Sequence, residues 1–543
     1  MLLKKSDIGG EIISILTRGM YLDPKDALRE YVQNGVDAQA SHISIKIRQD
    51  IIVIQDNGSG MNKETMRKAI RVGISEKNPN KNVGFMGIGI YSSFHLCDEL
   101  NIYSKTEPDP PNHLHFNFKG MRDRLAEQRE LKFSSSASDN ENIALQDLLE
   151  DNLELTSLNN EEFPNKGTRV EMSGIDLSFF KTLSKFSEVS TYLEQVVALP
   201  FNPNFKFGRE IQNYIQKVCL DHNISFSLVN LDLQINEEHK ELYRPYLDDL
   251  FEPYALEPKF YSLKFNKDFF GIAWGCLNYS KKIIKNSFIR GFIIKKQGFT
   301  IGSRNDLLPY FRRQTFYNRY IGEVIVLNNQ LLPNASRTEF EYSPLRISFQ
   351  DSLRSMANFY NKEANLYQET VKAQEELNSA INFLKVKKAQ FDLMLNNSDE
   401  LLTTLWQSKE FSESLIRRKR NDCYEAEKGK AEIIIKQLED FTLKIKETID
   451  TKKRKRHKNT TQSENQIATD VENIPDPSES NQEEEFESLS QVLDSIGLEL
   501  NKDLLNFIEL IDENYIRYYS TDNLDYKQRL SKLKNDFEEL LEE

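Results

Sequence analysis

Cysteine is scarce: Cys97, Cys219, Cys276 and Cys423 are the four in 543 residues, and none stands in a CxxC pair. That spacing speaks against a disulfide framework or a zinc site and fits a reducing compartment. Long apolar runs are also missing, since no stretch approaches the roughly 18 residues that cross a bilayer. The opening MLLKKSDIGG lacks the apolar core of a secretory signal. The expectation is a soluble cytoplasmic protein without a membrane, or a nuclear one in a eukaryotic cell. Positive charge does not predominate: 71 Lys and Arg face 84 Asp and Glu, a net charge of −13. That balance excludes wholesale coating of nucleic acid and leaves room only for local basic patches.

At this length the chain exceeds one core, so several units are expected. Residues 1–110 alternate helix and strand signals: a helix over Asp26 to Ala40, paired strands at His42 to Ile47 and Ile51 to Ile54, and a glycine-led apolar helix from Gly84 to Leu100. Ser, Asn, Asp and Glu crowd residues 134–162, which predicts a solvated acidic insertion. Leu353, Met356, Tyr360, Ala364, Tyr367 and Val371 follow helical spacing. The fold class is α/β (α+β) and multidomain. The expected boundaries are a first α/β domain over 1–175, a second over 176–345, and a long helical hairpin or coiled coil over 346–458. An acidic disordered linker over 459–485 and a C-terminal helical unit over 486–543 complete the list.

Three clusters carry chemistry. Glu30, Asn34 and Asp37 stand at i, i+4 and i+7 of the first helix and share one face. Their neighbours are largely apolar, and inward carboxylates and carboxamides are costly unless a ligand or ion satisfies them. Asn offers a neutral oxygen suited to magnesium, and Glu can take a proton from water. The second cluster, Asp56-Asn57-Gly58-Ser59-Gly60-Met61, follows a strand directly. A carboxylate there can accept a hydrogen bond from an adenine amino group, and the glycines let the backbone turn closely. An ordinary Asp-Asn-Gly turn is the alternative. In the third, Gly84, Gly87, Ile88 and Gly89 open the apolar helix, where bare amides can receive phosphates. It is not a Walker A loop, because the Gly-Lys-Ser/Thr ending is absent.

In order and spacing these boxes, with Gly167-Thr168-Arg169-Val170, resemble the gyrase, heat-shock chaperone, histidine kinase and MutL (GHKL) superfamily of ATPases. The spelling is most similar to the ninety-kilodalton heat-shock chaperones. The resemblance implies a Bergerat-type ATP-binding sandwich over 1–175 and an α/β transducer over 176–345, with ATP and magnesium as ligands. It makes Glu30 the general base, Asn34 the magnesium ligand, Asp56 the adenine reader and Gly60 its neighbour. Gly58, Met61 and Ile88 join the pocket. Gly84, Gly87 and Gly89 form the lid hinge, Asp37 lies behind the ligand, and Thr168 joins the adenine network. Lys63 and Lys77, in the 62–83 lid, are candidate phosphate contacts. Leu331 to Arg337 is similar to the chaperones' middle-domain segment, which makes Arg337 a catalytic candidate reaching the γ-phosphate and Asn334 its support.

The last 200 residues depart from the chaperones and resemble the MORC-type branch, whose ATPase acts on DNA. Two functions are therefore expected: a chaperone-like dimeric clamp, closing by ATP-dependent N-terminal association on a protein client or partner subunit, or a MORC-like DNA clamp in genome or antiviral defence. DNA contacts would come from the ten cations between 281 and 319 and from KKRKRHK at 452–458. The latter also reads as a nuclear address or a helix end. A sensor histidine kinase fits poorly, because none of the seven histidines sits where a phospho-accepting helix is required.

Overall fold

The computed structural model describes residues 8–75, 77, 83–84, 86–133, 143–163, 165–421, 424 and 428–467. The chain divides into two units, Met1–Lys446 and Glu447–Glu543.

The first unit begins with α1 (Glu11–Met20) and α2 (Lys25–Asp37), followed by β1 (His42–Arg48), β2 (Ile51–Asp56) and α3 (Lys63–Ala69). Next come β3 (Glu99–Lys105), β4 (Asn112–Asn117), α4 (Phe118–Phe133), α5 (Leu145–Glu150), β5 (Leu153–Ser157) and β6 (Gly167–Ser173). Helices α6 (Leu177–Leu183), α7 (Phe186–Val196) and α8 (Gly208–Asp221) precede β7 (Asn230–Ile235) and β8 (Glu238–Leu242). The sheet order is β5-β4-β3-β6-β2-β1-β7-β8, antiparallel except for the parallel β1–β7 pair. Period-two alternation builds its inner face, with Ile43, Ile45 and Ile47 of β1 buried opposite Ile52 and Ile54 of β2. Each such side chain contributes about 1.5–3 kcal/mol by leaving water. On this face lies α2, through Leu28, Tyr31, Val32 and Val36.

A second sheet, in the order β12-β11-β13-β10-β9, comes from β9 (Lys259–Phe265), β10 (Asp268–Leu277), β11 (Gly291–Lys296), β12 (Phe299–Ile301) and, after α9 (Gln314–Tyr317), β13 (Tyr320–Val326). Both faces are covered. Phe270, Phe292, Tyr320 and Val324 pack on α10 (Pro344–Ala389) through Leu353, Met356 and Tyr360, while Ile272, Trp274 and Ile321 pack on α8 through Ile211 and Ile215.

Several sequence expectations change. The boundary at 175 falls inside the first sheet, because β7 and β8 close the free edge of β1 and turn Leu231, Leu233 and Ile235 into the same core. Of the expected insertion over 134–162, residues 134–142 lie outside the described residues. The rest is ordered as α5, with Leu148 buried, and as β5 on the edge of β4. From Gly84 to Leu100 the chain does not form a regular helix. A 3-10 turn at Gly89–Tyr91 is continued by bonds of the i→i−3 kind, such as Phe94 N to Tyr91 O (3.0 Å). Glycines and paired serines are weak helix formers, so tight turns suffice here.

The region expected as a long helical hairpin or coiled coil over 346–458 contains three long helices, with one short helix between the first two. Asn397 caps α12 (Ser398–Arg420) after the short α11 (Phe391–Met394), and α13 (Lys428–Ile467) then turns back. Lys387–Glu400 and Arg418–Glu376 ion pairs run α12 antiparallel to α10, and Lys419–Glu432 runs α13 antiparallel to α12. Residues 459–467, expected as linker, continue α13, while 468–485 and 486–543 lie outside the described residues.

Candidate functional site

A cavity of about 480 Å³ opens over the first sheet and is walled by α2, by the ends of β2 and β6, by the 83–90 segment and by residues 333–337. Its volume lies within the range of small-molecule sites, about 300–1,000 Å³.

At one end, strand register makes a polar row. Asp56 of β2 pairs with Thr168 of β6, which pairs with Ser104 of β3. Ser104 Oγ lies 2.9 Å from Thr168 Oγ1 and accepts the Met61 amide at 2.8 Å, which ties the turn after β2 to the sheet. Gly58 stands behind the row, its amide donating to Asp56 Oδ1 at 2.8 Å. Burial pushes the Asp56 carboxyl up to about 6, while the Gly58 and Thr168 amides pull it back. Gly60 adopts φ +71°, and a Cβ there would lie 2.0 Å from the Lys105 carbonyl oxygen. Glycine is thus required by the backbone itself, beyond any room it gives a base. Ser104 was missed from sequence because only cross-strand register brings it to the row.

At the other end, the α2 face meets the glycine segment. Tyr31 Oη, 2.8 Å from Ser93 Oγ and donating to the Ile90 carbonyl at 3.0 Å, clamps the 3-10 turn to α2. Asp37 anchors this segment, accepting the amides of Val83 (2.6 Å) and Gly84 (3.0 Å). Lys77 Nζ donates to Asp37 Oδ2 at 2.8 Å and to Asn34 Oδ1 at 2.9 Å. Lys63, by contrast, starts α3 on the surface. Gly87 has φ +71° and lies against the Ile74 backbone, where a Cβ would come within 2.6 Å of its carbonyl oxygen. Ile88 is buried in the wall, and Gly89 faces the Glu30 carboxylate. Gln33, also unforeseen, is 1% exposed beside Gly84, and its Oε1 has no hydrogen-bond partner among the described residues.

Glu30 is buried between two guanidiniums: Arg29 Nη2 at 3.3 Å, itself paired with Asp26, and Arg337 Nε at 3.8 Å. Arg337 enters from the loop after β13. The Asn334 carbonyl accepts its amide (3.0 Å), Gly302 donates to its carbonyl (2.8 Å), and it holds φ +57°. Its Nη2 donates to the Val83 carbonyl at 2.9 Å, while its buried Nη1 has no partner among the described residues. Burial holds the guanidinium pKa below its ordinary value. A free donor on a buried cation lining a cavity suits an anionic ligand group. The sequence-predicted residues therefore converge, with Arg337 supplied by the second sheet's loop.

The basic stretch does not form one surface. Of its ten cations, Lys295, Lys296, Arg304 and Arg319 are buried. Burial lowers Lys295 to about 7 and Lys296 to about 8. Lys282 and Lys285 pair with Glu252, and Lys281 with Glu375. Cover on both faces of the sheet buries Lys295 and Lys296, whereas Lys282, Lys285, Arg312 and Arg313 stay exposed in the connecting loops. The 452–458 run lies within α13.

Residues 22–148 match the family model described as histidine kinase-, DNA gyrase B-, and HSP90-like ATPase. A putative type II restriction enzyme HgiDII of Herpetosiphon aurantiacus is 35% identical over 113 residues, 18% of this chain and 18% of that protein. Chaperone protein HtpG of Orientia tsutsugamushi (strain Boryong) is 27% identical over 129 residues, 18% of this chain and 20% of that one. DNA mismatch repair protein MutL of Ehrlichia chaffeensis is 35% identical over 78 residues, 13% of this chain and 12% of that one. The chain thus matches a fifth or less of each of these relatives. Over residues 22–148, then, the chain is similar to the histidine kinase-, DNA gyrase B- and HSP90-like ATPases.

Proposed function

We propose that this chain is a magnesium-dependent ATPase whose nucleotide cycle closes and reopens a dimeric clamp on a protein client. The observation that carries the reading is Arg337, delivered from the second sheet's loop to within 3.8 Å of Glu30 with one donor buried and free. Adenine would lie on the Asp56–Thr168–Ser104 row, its amino group donating to the Asp56 carboxylate. The triphosphate would run toward the amides of the 84–89 segment. Glu30 takes the proton of the attacking water as the water oxygen bonds the γ-phosphorus and the bond to the β–γ bridging oxygen breaks. Arg337 offers its fork to the charge on the transferring group. Asn34 would hold magnesium, an ion that takes one or two protein oxygens and completes its shell with phosphate and water. When bound, that ion neutralises phosphate charge.

A second copy is the natural partner for α1. Ile12 and Ile15 are exposed on one side of this helix, flanked by exposed Ile8 and Leu22. Such a stripe favours an apolar interface. With four of the ten cations of 281–319 buried, the basic surface is smaller than the sequence offers, which favours a protein client over duplex DNA. Two measurements test the proposal together: phosphate release from magnesium ATP, and light scattering with a non-hydrolysable ATP analogue. Turnover should appear, along with a dimer that Ile15→Glu abolishes. Absence of turnover would sink the ATPase, and a monomer at saturating analogue would sink the clamp. A salt-sensitive shift of duplex DNA would replace the protein client with nucleic acid.

Asp56 adds a pH dependence. Its folded pKa is raised from 3.8 to about 6, so the folded apoprotein binds the extra proton. This stabilising contribution is present at low pH and is lost as pH rises from about 4 to about 6. ATP requires the ionised form, so nucleotide binding releases a proton, and affinity should fall as pH drops through 6. Calorimetric titration from pH 5 to 8 checks this. Asp56→Asn should bind weakly with a flat profile, and a wild-type profile that is itself flat would remove Asp56 from adenine recognition.

A further inference from the structure

We propose that Lys77 is a resident counter-cation of the nucleotide site, occupying at Asn34 the locus that magnesium takes when nucleotide is bound. The inference rests on the metal role assigned to Asn34 above. Its basis is that Asn34 Oδ1, the neutral oxygen best suited to magnesium, already accepts Lys77 Nζ at 2.9 Å. The same ammonium reaches Asp37 Oδ2 at 2.8 Å, and the Asp37 side chain is 2% exposed. A plain ion pair with Asp37 needs no second bond, so the bridge to Asn34 is the informative feature.

Two cations on that oxygen repel strongly, because its two lone pairs would hold them only about 4 Å apart. Magnesium binds oxygen at about 2.1 Å and demands a near-octahedral shell. An ammonium already on the neighbouring lone pair would face it at close range with no screening water between them. Lys77 is able to leave, because its side chain is 36% exposed and its stem is flexible. Asp37 keeps the Val83 and Gly84 amides when it does. In the absence of nucleotide, Lys77 thus neutralises Asp37 and denies Asn34 to free divalent ions. The metal gains entry only when phosphates add their own oxygens to the coordination shell.

The test uses the full chain and two binding readouts that need no turnover. In the first, free Mn²⁺ is followed by electron paramagnetic resonance against nucleotide-free protein. Lys77→Met should bind Mn²⁺ roughly tenfold more tightly than wild type, and Lys77→Met with Asn34→Ala should lose that gain. In the second, a fluorescent ATP analogue is titrated in EDTA and in excess magnesium. Lys77→Met should weaken metal-free binding by about tenfold and metal-replete binding by no more than about twofold. Lys77→Arg, which keeps a cation, should stay near wild type in both, as should Lys63→Met. Equal losses with and without metal would make Lys77 a simple phosphate contact and overturn the exchange. Unchanged Mn²⁺ binding would overturn it as well. If wild type bound no analogue in either buffer, it is the ATPase reading that would fail, while the Mn²⁺ arm would still judge the Lys77–Asn34 contact.

Discussion

Replacing Glu30 with glutamine should slow ATP hydrolysis by about a thousandfold and leave ATP affinity within a few-fold, because a positioned base contributes about 10²–10⁴ to such a step. Glutamine is preferable to alanine for physical reasons. Glu30 is 8% exposed and receives Arg29 Nη2 at 3.3 Å, with Arg337 Nε at 3.8 Å. Removing the whole side chain strands two largely buried guanidiniums, a change that costs about 3–5 kcal/mol in comparable buried pairs. Arg29 would retain Asp26, and Arg337 the Val83 carbonyl, so Glu30→Ala should melt lower without unfolding. Glutamine keeps an oxygen acceptor for Arg29, and loses the ability to take a proton together with the negative charge between the two guanidiniums. Single-turnover phosphate release beside equilibrium ATP binding separates the two effects. Hydrolysis at the wild-type rate in Glu30→Gln would place the base elsewhere.

Arg337→Ala should have an effect of similar size through a different mechanism. Arginines that stabilise a transferring phosphoryl group contribute about 10³–10⁵ to turnover, so a loss of about 10³ is expected with ATP affinity changed by only a few-fold. The free protein should melt somewhat lower, because the bond to the Val83 carbonyl and the approach to Glu30 are lost, while Glu30 keeps Arg29. The Nη1 donor, which makes no hydrogen bond to the described residues, adds nothing to that loss. Arg337→Lys should recover little, because a point charge lacks the planar fork. A fall in ATP affinity as large as the fall in turnover would mean uniform binding rather than selective stabilisation of the transition state. The loop itself should survive: Asn334 Oδ1 accepts the Thr338 amide at 3.0 Å, and an isolated bridge joins Pro333 to Phe340.

Interactions confined to one element were legible in the sequence. Helical spacing placed Glu30, Asn34 and Asp37 on one face of α2, and alternation located β1 and β2 to within two residues at each end. The Asn397 cap of α12 is local in the same way, its side chain accepting the Asp399 and Glu400 amides. These signals depend on torsions and neighbours within a turn or two, which a single chain displays directly. Helical periodicity alone, however, left the antiparallel partners of α10 open, and Gly84 to Leu100 looked helical although its glycines and serines settle into tight turns.

The rest was decided between distant segments. Ser104 joins Asp56 only because β2, β6 and β3 pair in one register, and a slip of one residue would turn it to the other face. The cations of 281–319 read as a patch in one dimension, yet cover on both faces of the second sheet buries Lys295 and Lys296 and leaves the loop residues Lys282 and Lys285 exposed beside Glu252. By itself the sequence determined which polar groups share a helix face or a turn in the first 110 residues, because spacing within one element sets their local geometry. Tertiary structure alone decided that Lys77 rests on Asn34 and that Arg337 reaches Glu30, because those contacts depend on strand register and core packing summed over the whole unit.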